Sequence, residues 1–187
     1  MHLKSQKGFT LIEIIIVIVI LSIVSGITVK FVIDGLRIYT MAVDQKTLLD
    51  EGKLALERMC RDIRDAQSIT SVTPGPPGSV TFTRTHLTAT DNPTNSITFW
   101  QNTGPSPDTL EKTNNSTGAS GILANNVTSF TITNATNEIQ LQLVLNNLAT
   151  GANVTLQTRV YPKNLGASAT YKTFYGNWKE VRSPDLF

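Results

Sequence analysis

The sequence predicts an α+β protein in which a long N-terminal helix packs on an antiparallel β-sheet head. Residues 9–29 are apolar and carry a single charge, that of Glu13. Apolar residues then recur at helical spacing, with no proline, as far as Gln67. Beyond the turn sequence "TPGPPGS" at 73–79, apolar and polar residues alternate in short runs typical of strands.

The first apolar segment, residues 9–29, is long enough to cross a membrane. A helix over this range spans about 31 Å, the thickness of a bilayer core. Lys4 and Lys7 precede it, which favours a cytoplasmic N-terminus and places the bulk of the chain in an extracytoplasmic space. The following "SGITVKFVIDG" lacks the small-residue cleavage pattern of a secretory signal peptide.

Glu13 is the unusual residue of this segment. A carboxylate in a spanning helix costs roughly 2.5–3.5 kcal/mol at the membrane centre and less near its ends, so it indicates a function. A cut between Gly8 and Phe9 would create an α-amine four residues before Glu13. The carboxylate can then neutralise the amine of its own chain or that of a neighbouring subunit, and only the second pairing sets a register between subunits.

The stretch "KGFTLIE", followed by an unbroken apolar helix, resembles the class III signal of type IV pilins and type II secretion pseudopilins. The resemblance implies a leader of residues 1–8 that a prepilin peptidase removes by cutting after Gly8. It also implies N-methylation of Phe9, a role for Glu13 in filament assembly, and a pilin-like fold.

Two further segments resemble particular members of that family. "LALERMCRDIRDAQSIT" at 54–70 and "TRVYPKNL" at 158–165 are similar to segments of W-type minor pilins and J-type pseudopilins. This resemblance implies a minor subunit at or near a filament tip. The implied partners are other pilin or pseudopilin subunits, the prepilin peptidase and the inner-membrane assembly platform. A tip adhesin or DNA-uptake subunit and a major pilin are the alternatives, and the choice between pilus, secretion pseudopilus and competence system stays open.

The second helical segment, residues 30–67, is predicted to be amphipathic and to continue into the head. Its apolar stripe is expected to cover one face of the sheet. The stripe residues are Ile38, Met41, Gln45, Leu49, Gly52, Leu56, Met59, Ile63 and Ala66. The opposite, charged face is predicted to hold i,i+4 ion pairs such as Arg58 with Asp62.

The head, residues 68–187, is predicted to be an antiparallel sheet with an aromatic C-terminal tail. Alternating runs predict strands around Val80 and Phe82, around Ile97 and Phe99, and at 129–133, 138–145 and 153–161. Polar stretches at 86–96 and 102–120 are predicted to be exposed loops. Tail residues Phe174, Tyr175 and Trp178 are expected to pack against the sheet edge or to face a partner.

Neither an enzyme site nor a cofactor or metal site is expected. His86 is the sole histidine after residue 8, which leaves no histidine-based catalytic or metal set. Asp91, Asn92 and Asn95 are the nearest approach to a calcium site, with one carboxylate. Cys60, the single cysteine, is expected to be a packed thiol or an intermolecular disulfide. Removal of Lys4 and Lys7 lowers Lys+Arg from 16 to 14, equal to the 14 Asp+Glu, and this neutrality argues against nucleic-acid binding.

Overall fold

The computed structural model describes residues 8–104, 108–135 and 138–163. In this part of the chain, one helix, α1 (Leu11–Arg64), precedes eight strands. The strands are β1 (Ala66–Thr73), β2 (Ser79–Arg84), β3 (Ser96–Asn102), β4 (Thr109–Asn114), β5 (Ser120–Ala124), β6 (Val127–Ala135), β7 (Glu138–Asn147) and β8 (Ala152–Val160).

The chain divides into two compact units, Met1–Val43 and Asp44–Phe187. The described part of the first unit is a stretch of three residues without regular structure followed by helix, and its large apolar side chains are exposed. The second unit holds the end of α1 and all the strands. Packing of the helix on antiparallel sheets confirms the predicted α+β class.

The strands form two antiparallel sheets where the sequence suggested one. A five-stranded sheet has the order β1-β2-β3-β4-β5, and a three-stranded sheet has the order β6-β7-β8. Within each sheet, every strand pairs with its neighbours in sequence, as short connections between antiparallel strands allow. The prediction of a loop over 102–120 is wrong, because β4 and the start of β5 lie in that range.

The inner faces of the sheets carry the alternating apolar residues. Phe82 of β2 and Phe99 of β3 are fully buried, with their ring centroids 5.5 Å apart. The inner face of β7 is also fully covered, and it consists of Ile139, Leu141, Leu143 and Leu145. Burying one such side chain contributes roughly 1.5–3 kcal/mol, so these strands supply much of the stability of the head.

The buried stripe of α1 is close to the predicted one but shorter. Gly52, Leu56, Met59 and Ile63 are buried, as predicted. Leu48 is buried and Leu49 is not, although the sequence analysis placed Leu49 in the stripe. Because a helical turn has 3.6 residues, the positions three and four residues before Gly52 both lie near its face of the helix, and in the structure it is Leu48 that packs against the head. The predicted members Ile38 and Met41 lie in the first unit and are exposed.

Gly52 allows α1 to approach the three-stranded sheet closely. A β-carbon at this position would lie 2.6 Å from Cδ1 of both Leu145 and Leu156, closer than real β-carbons come to other atoms. The absence of a side chain therefore sets the spacing between the helix and β7 and β8.

Strand β6 joins the two sheets by crossing the end of the larger one. Phe130 O accepts a hydrogen bond from Gly78 N at 3.0 Å, and Ile132 N donates to Pro74 O at 3.0 Å. The side chain of Gln101, at the end of β3, accepts from Phe130 N at 2.9 Å. The outer edge of β6 is thus occupied by the β1–β2 turn and by β3.

Helix α1 ends at Arg64, whereas the apolar spacing predicts helix to Gln67. Asp65 N donates to Asp62 O at 3.2 Å in a tightened last turn, and Ala66 opens β1. Lys163 N, just past β8, donates to Arg64 O at 3.0 Å. The carbonyl groups of the last helical turn have no partner within the helix, and this bond gives the Arg64 carbonyl a donor from the segment that follows β8.

Candidate functional site

The predicted processing residues lie just before the start of α1. Residues 8–10 have no regular secondary structure, and the helix begins at Leu11. The bond between Gly8 and Phe9 therefore lies outside the helix. A β-carbon on Gly8 would meet no atom within 4 Å, so the chain's own packing does not require glycine there.

Thr10 caps the helix, a role that the sequence analysis missed. The backbone N–H of Glu13 donates to Thr10 Oγ1 at 3.3 Å and to Thr10 O at 3.1 Å. This is half of a capping box, whose signature Thr-x-x-Glu was readable in the sequence. Glu13 also lies in the first turn, where the helix dipole favours a negative charge by roughly 0.3–1 kcal/mol.

The apolar residues that follow Glu13 have no partner within the described chain. Isoleucine, valine and leucine side chains are exposed all around the helix from Leu11 to Leu36. Two hydroxyls in this segment are bonded to the helix itself: Ser22 Oγ donates to Ile18 O at 2.7 Å, and Thr28 Oγ1 to Val24 O at 2.8 Å. The segment is apolar and long enough to cross a membrane, and no polar group of these two side chains needs water.

In the head, the strongest concentration of charge lies at the C-terminal end of α1. Arg84 Nη1 donates to Asp62 Oδ1 at 2.8 Å, and Arg84 Nε donates to Asp65 Oδ2 at 3.3 Å. Asp62 is buried on the core side of the helix, which corrects its predicted place on the charged outer face beside Arg58. Its second oxygen accepts from Lys112 Nζ at 3.0 Å.

Asp91 is the third carboxylate of this cluster. It is buried, and its Oδ2 lies 2.5 Å from Lys112 Nζ and 3.7 Å from Arg84 Nη1. The carboxylate that had suggested a calcium site is thus already neutralised by two cations of the chain. Among the residues that the structure describes, no group of three potential metal ligands occurs. We call Asp62, Asp65, Arg84, Asp91 and Lys112 the ionic cluster.

His86 lies at the margin of the ionic cluster and is largely exposed. Its Nδ1 is 2.5 Å from Asp65 Oδ1, and its backbone N–H donates to Asp65 Oδ2 at 3.2 Å. Burial favours a raised pKa for Asp65, but the hydrogen bonds from His86 and Arg84 outweigh burial and hold the pKa below its usual range. The pairs join the end of the helix to β2, β4 and the loop after β2, so the cluster fastens the head together.

Cys60 and the aromatic tail complete the predicted sites. Cys60 is half-buried, and its Sγ donates to Thr158 Oγ1 at 3.8 Å. Burial raises the pKa of the thiol, which keeps it protonated and weakly reactive. Phe174, Tyr175 and Trp178 lie outside the described residues.

Comparison with known proteins gives one match. Residues 3–29 match the family described as the prokaryotic N-terminal methylation motif. No curated protein and no solved structure matches the chain. The matched range contains Gly8, Phe9 and Glu13, and it supports a type IV pilin-like or pseudopilin-like protein. Together with the apolar helix, it fits a single-pass protein of the inner membrane.

Proposed function

We propose that this chain is a minor pilin or pseudopilin that joins, and helps to initiate, a type IV pilus or a type II secretion pseudopilus at or near its tip. The observation that carries the proposal is the methylation motif at residues 3–29, set on a segment whose helix begins at Leu11. In this proposal the chain is a structural subunit and not an enzyme.

Processing is proposed to occur between Gly8 and Phe9. The prepilin peptidase cuts this bond at the cytoplasmic face of the membrane, and Phe9 becomes the methylated N-terminus. The position of the bond ahead of α1 supports this step, because the peptidase needs an extended backbone and not a hydrogen-bonded turn.

The exposed apolar surface of residues 11–36 is proposed to have two successive environments. Lipid covers it while the subunit waits in the inner membrane, and the helices of neighbouring subunits cover it in the filament. The exposure of these side chains in the single chain supports a covering partner, since contiguous apolar surface of this size marks a membrane or protein contact. The head then lies on the extracytoplasmic side.

Glu13 is proposed to neutralise the Phe9 amine of an adjacent subunit during assembly. Its position in the first turn offers a second role, capping of α1. Charge pairing needs an ionised carboxylate, whereas capping needs only a hydrogen-bond acceptor on the side chain. Glutamine keeps the capping-box residue type and removes the charge, whereas valine removes both. A pair of variants at this position therefore distinguishes them.

Two features of the sequence support a minor rather than a major subunit. The "RDIR" at 61–64 and the "TRVYPKNL" at 158–165 are similar to segments of W-type and J-type proteins. The single cysteine cannot close the C-terminal disulfide loop that many major pilins have. Quantitative mass spectrometry of sheared filaments should find the chain scarce, and its detection as the predominant subunit would reverse the assignment.

The test of processing uses Gly8→Val. Because a side chain on Gly8 meets nothing within the chain, this variant should fold normally but remain uncleaved in the inner membrane. Deletion of the prepilin peptidase should give the same full-length product. N-terminal sequencing of the wild-type protein should begin at Phe9, and any other start contradicts the proposal.

The test of assembly compares Glu13→Gln with Glu13→Val. Both should be cleaved and present in the membrane at normal level, because the carboxylate lies beyond the cut. Both should be poorly incorporated into filaments, since an unpaired buried charge costs roughly 3–5 kcal/mol. Normal incorporation of Glu13→Gln alone would assign the residue to helix capping and refute the charge pairing.

A further inference from the structure

The described head has an edge strand, β5, that is less protected than the others. No strand of the described residues pairs with the outer edge of β5. Its sequence, Ser-Gly-Ile-Leu-Ala, has neither charge nor proline, the usual features that prevent a sheet edge from pairing with another chain. By contrast, β1 has two register shifts against one in β5, β6 is bonded to the larger sheet, and β8 carries Arg159.

Gly121, in the middle of β5, is not explained by the fold of the chain. Its φ angle does not lie in the left-handed region, and a β-carbon there would meet no atom within 4 Å. Neither backbone conformation nor internal packing therefore requires glycine. A glycine inside a strand weakens the strand and often marks the close approach of a ligand or another backbone.

The space beside Gly121 is a cavity between β5 and α1. Gly121 pairs with Lys112 across the sheet, and Lys112 points toward the helix, so the missing side chain leaves a gap on the inner face. The cavity has a volume of about 270 Å³ and is lined in part by Arg58, Asp91 and Asn114. It can accept one medium-sized side chain from outside.

The lining of this cavity offers hydrogen-bond donors that lack acceptors. Asn114 Nδ2 is buried and has no hydrogen-bond partner among the described residues. Arg58 is exposed on the helix, and none of the ion pairs formed within the described chain includes it. Lys112 adds an ammonium group shared between Asp62 and Asp91. This chemistry suits an acidic side chain.

We infer that β5 and the adjoining cavity bind an extended segment of a different pilin-type subunit, which adds a strand to the edge of the sheet. An acidic side chain of that segment enters the cavity beside Gly121 and contacts Arg58. Main-chain hydrogen bonds supply the affinity, and the acidic residue supplies the specificity. The one irregularity of the β4–β5 ladder falls between Leu110 and Glu111, and the pairs from Glu111–Ile122 to Thr113–Ser120 remain regular. This inference rests on the proposed function, since it assumes that the partner is another subunit of the same filament.

The experiment is photo-crosslinking in cells that assemble filaments with the full-length chain. A photoreactive residue replaces Ile122, which is 57% exposed beside the edge. The matched control site is Leu148, which is 83% exposed in the turn between β7 and β8. We expect position 122, and not 148, to crosslink to another pilin-type subunit through a peptide that contains Asp or Glu.

Two variants then test the cavity. Gly121→Leu adds a side chain whose β-carbon meets no atom within 4 Å, and Arg58→Glu reverses a charge in the lining. Each should lower the crosslink yield at position 122 by about tenfold or more, the loss typical of a blocked interface hot spot. Gly75→Leu, at another glycine with open space around it, should leave the yield unchanged.

The outcomes separate this inference from the proposed function. If the wild-type chain is present in filaments but position 122 crosslinks to a second copy of itself, to residues 164–187 of its own chain, or to nothing, the inference is wrong and the proposed function stands. An unchanged yield in both Gly121→Leu and Arg58→Glu also overturns it. Absence of the processed chain from filaments overturns both.

Discussion

The two units of the chain differ in the exposure of their apolar side chains. From Leu11 to Leu36, large aliphatic side chains point outward in every direction and are 45–76% exposed. In the head, Phe82, Phe99 and Phe130 are fully buried. The head is therefore stabilised by its own core, whereas the apolar surface of the first unit is not covered by the described residues and is long enough to span a membrane. The four predictions below test this difference, beginning with the largest expected effect.

The first prediction compares two leucines of α1 that lie two positions apart. Leu56 is 7% exposed against the sheets and Leu54 is 49% exposed. In a fragment from Val32 onward, Leu56→Asp should destabilise the head by more than about 4 kcal/mol, because it creates a cavity and buries an unpaired charge. Leu54→Asp should retain cooperative urea unfolding near the wild-type midpoint. Equal effects of the two substitutions would mean that the buried stripe faces elsewhere.

The second prediction compares two arginines of the head. The Arg84 side chain is 9% exposed in the ionic cluster, and the Arg159 side chain is 59% exposed near Glu138. Arg84→Met leaves Asp62 and Asp65 with a lost partner and should cost roughly 3–5 kcal/mol. Arg159→Met should cost at most about 1 kcal/mol, as for a surface ion pair. Chemical denaturation of both variants measures the difference, and a small loss for Arg84→Met would show that the cluster does not hold the head together.

The third prediction moves the test to the first unit. Val19→Asp places a second carboxylate in the apolar helix and should weaken membrane residence by roughly 2.5–3.5 kcal/mol. The unfolding of the head should not change, because Val19 is exposed and belongs to the other unit. Carbonate extraction of membranes measures the first effect, with Val19→Ala as the control. Loss of head stability in Val19→Asp would show that the units depend on each other.

The fourth prediction concerns pH and is the smallest in effect. Asp65 has a folded-state pKa below its ordinary value, despite burial, because His86 and Arg84 bond its carboxylate. Its stabilising contribution is therefore fully present above the unfolded-state pKa of about 3.9 and is lost as pH falls through the folded-state pKa. Stability of Asp65→Asn should fall less steeply between about pH 5 and pH 3 than that of the wild type.

The strands that could be predicted from the sequence are those in which apolar and polar residues alternate over several positions. Strand β7 was predictable because Ile139, Leu141, Leu143 and Leu145 alternate with polar residues. Strands β4 and β5 were not, because "TLEKTN" and "SGILA" have short or interrupted alternation inside polar stretches. Gly8 and Phe9 could be proposed as processing residues because they form a contiguous motif with Glu13, and the capping role of Thr10 was predictable from its spacing to Glu13.

The ionic cluster could not be predicted from the sequence. Asp62 is 22 residues from Arg84 and 50 from Lys112, so no local spacing connects them. At i,i+4 spacing, Arg58 was the obvious partner for Asp62, but the helix rotates Asp62 inward and leaves Arg58 outside. Tertiary packing therefore determines that Asp62 pairs with Arg84 and Lys112 and not with Arg58, and sequence spacing alone does not show this.

The close approach at Gly52 has a consequence for sliding of the helix along the sheets. A shift of α1 by one turn, about 5.4 Å along its axis, would bring Leu48 or Leu56 to the place of Gly52. Either residue has a β-carbon, and that atom would come within 2.6 Å of the methyl groups of Leu145 and Leu156. A shift to the next register would therefore require the side chains of Leu145 and Leu156 to move aside, so Gly52 favours the observed register.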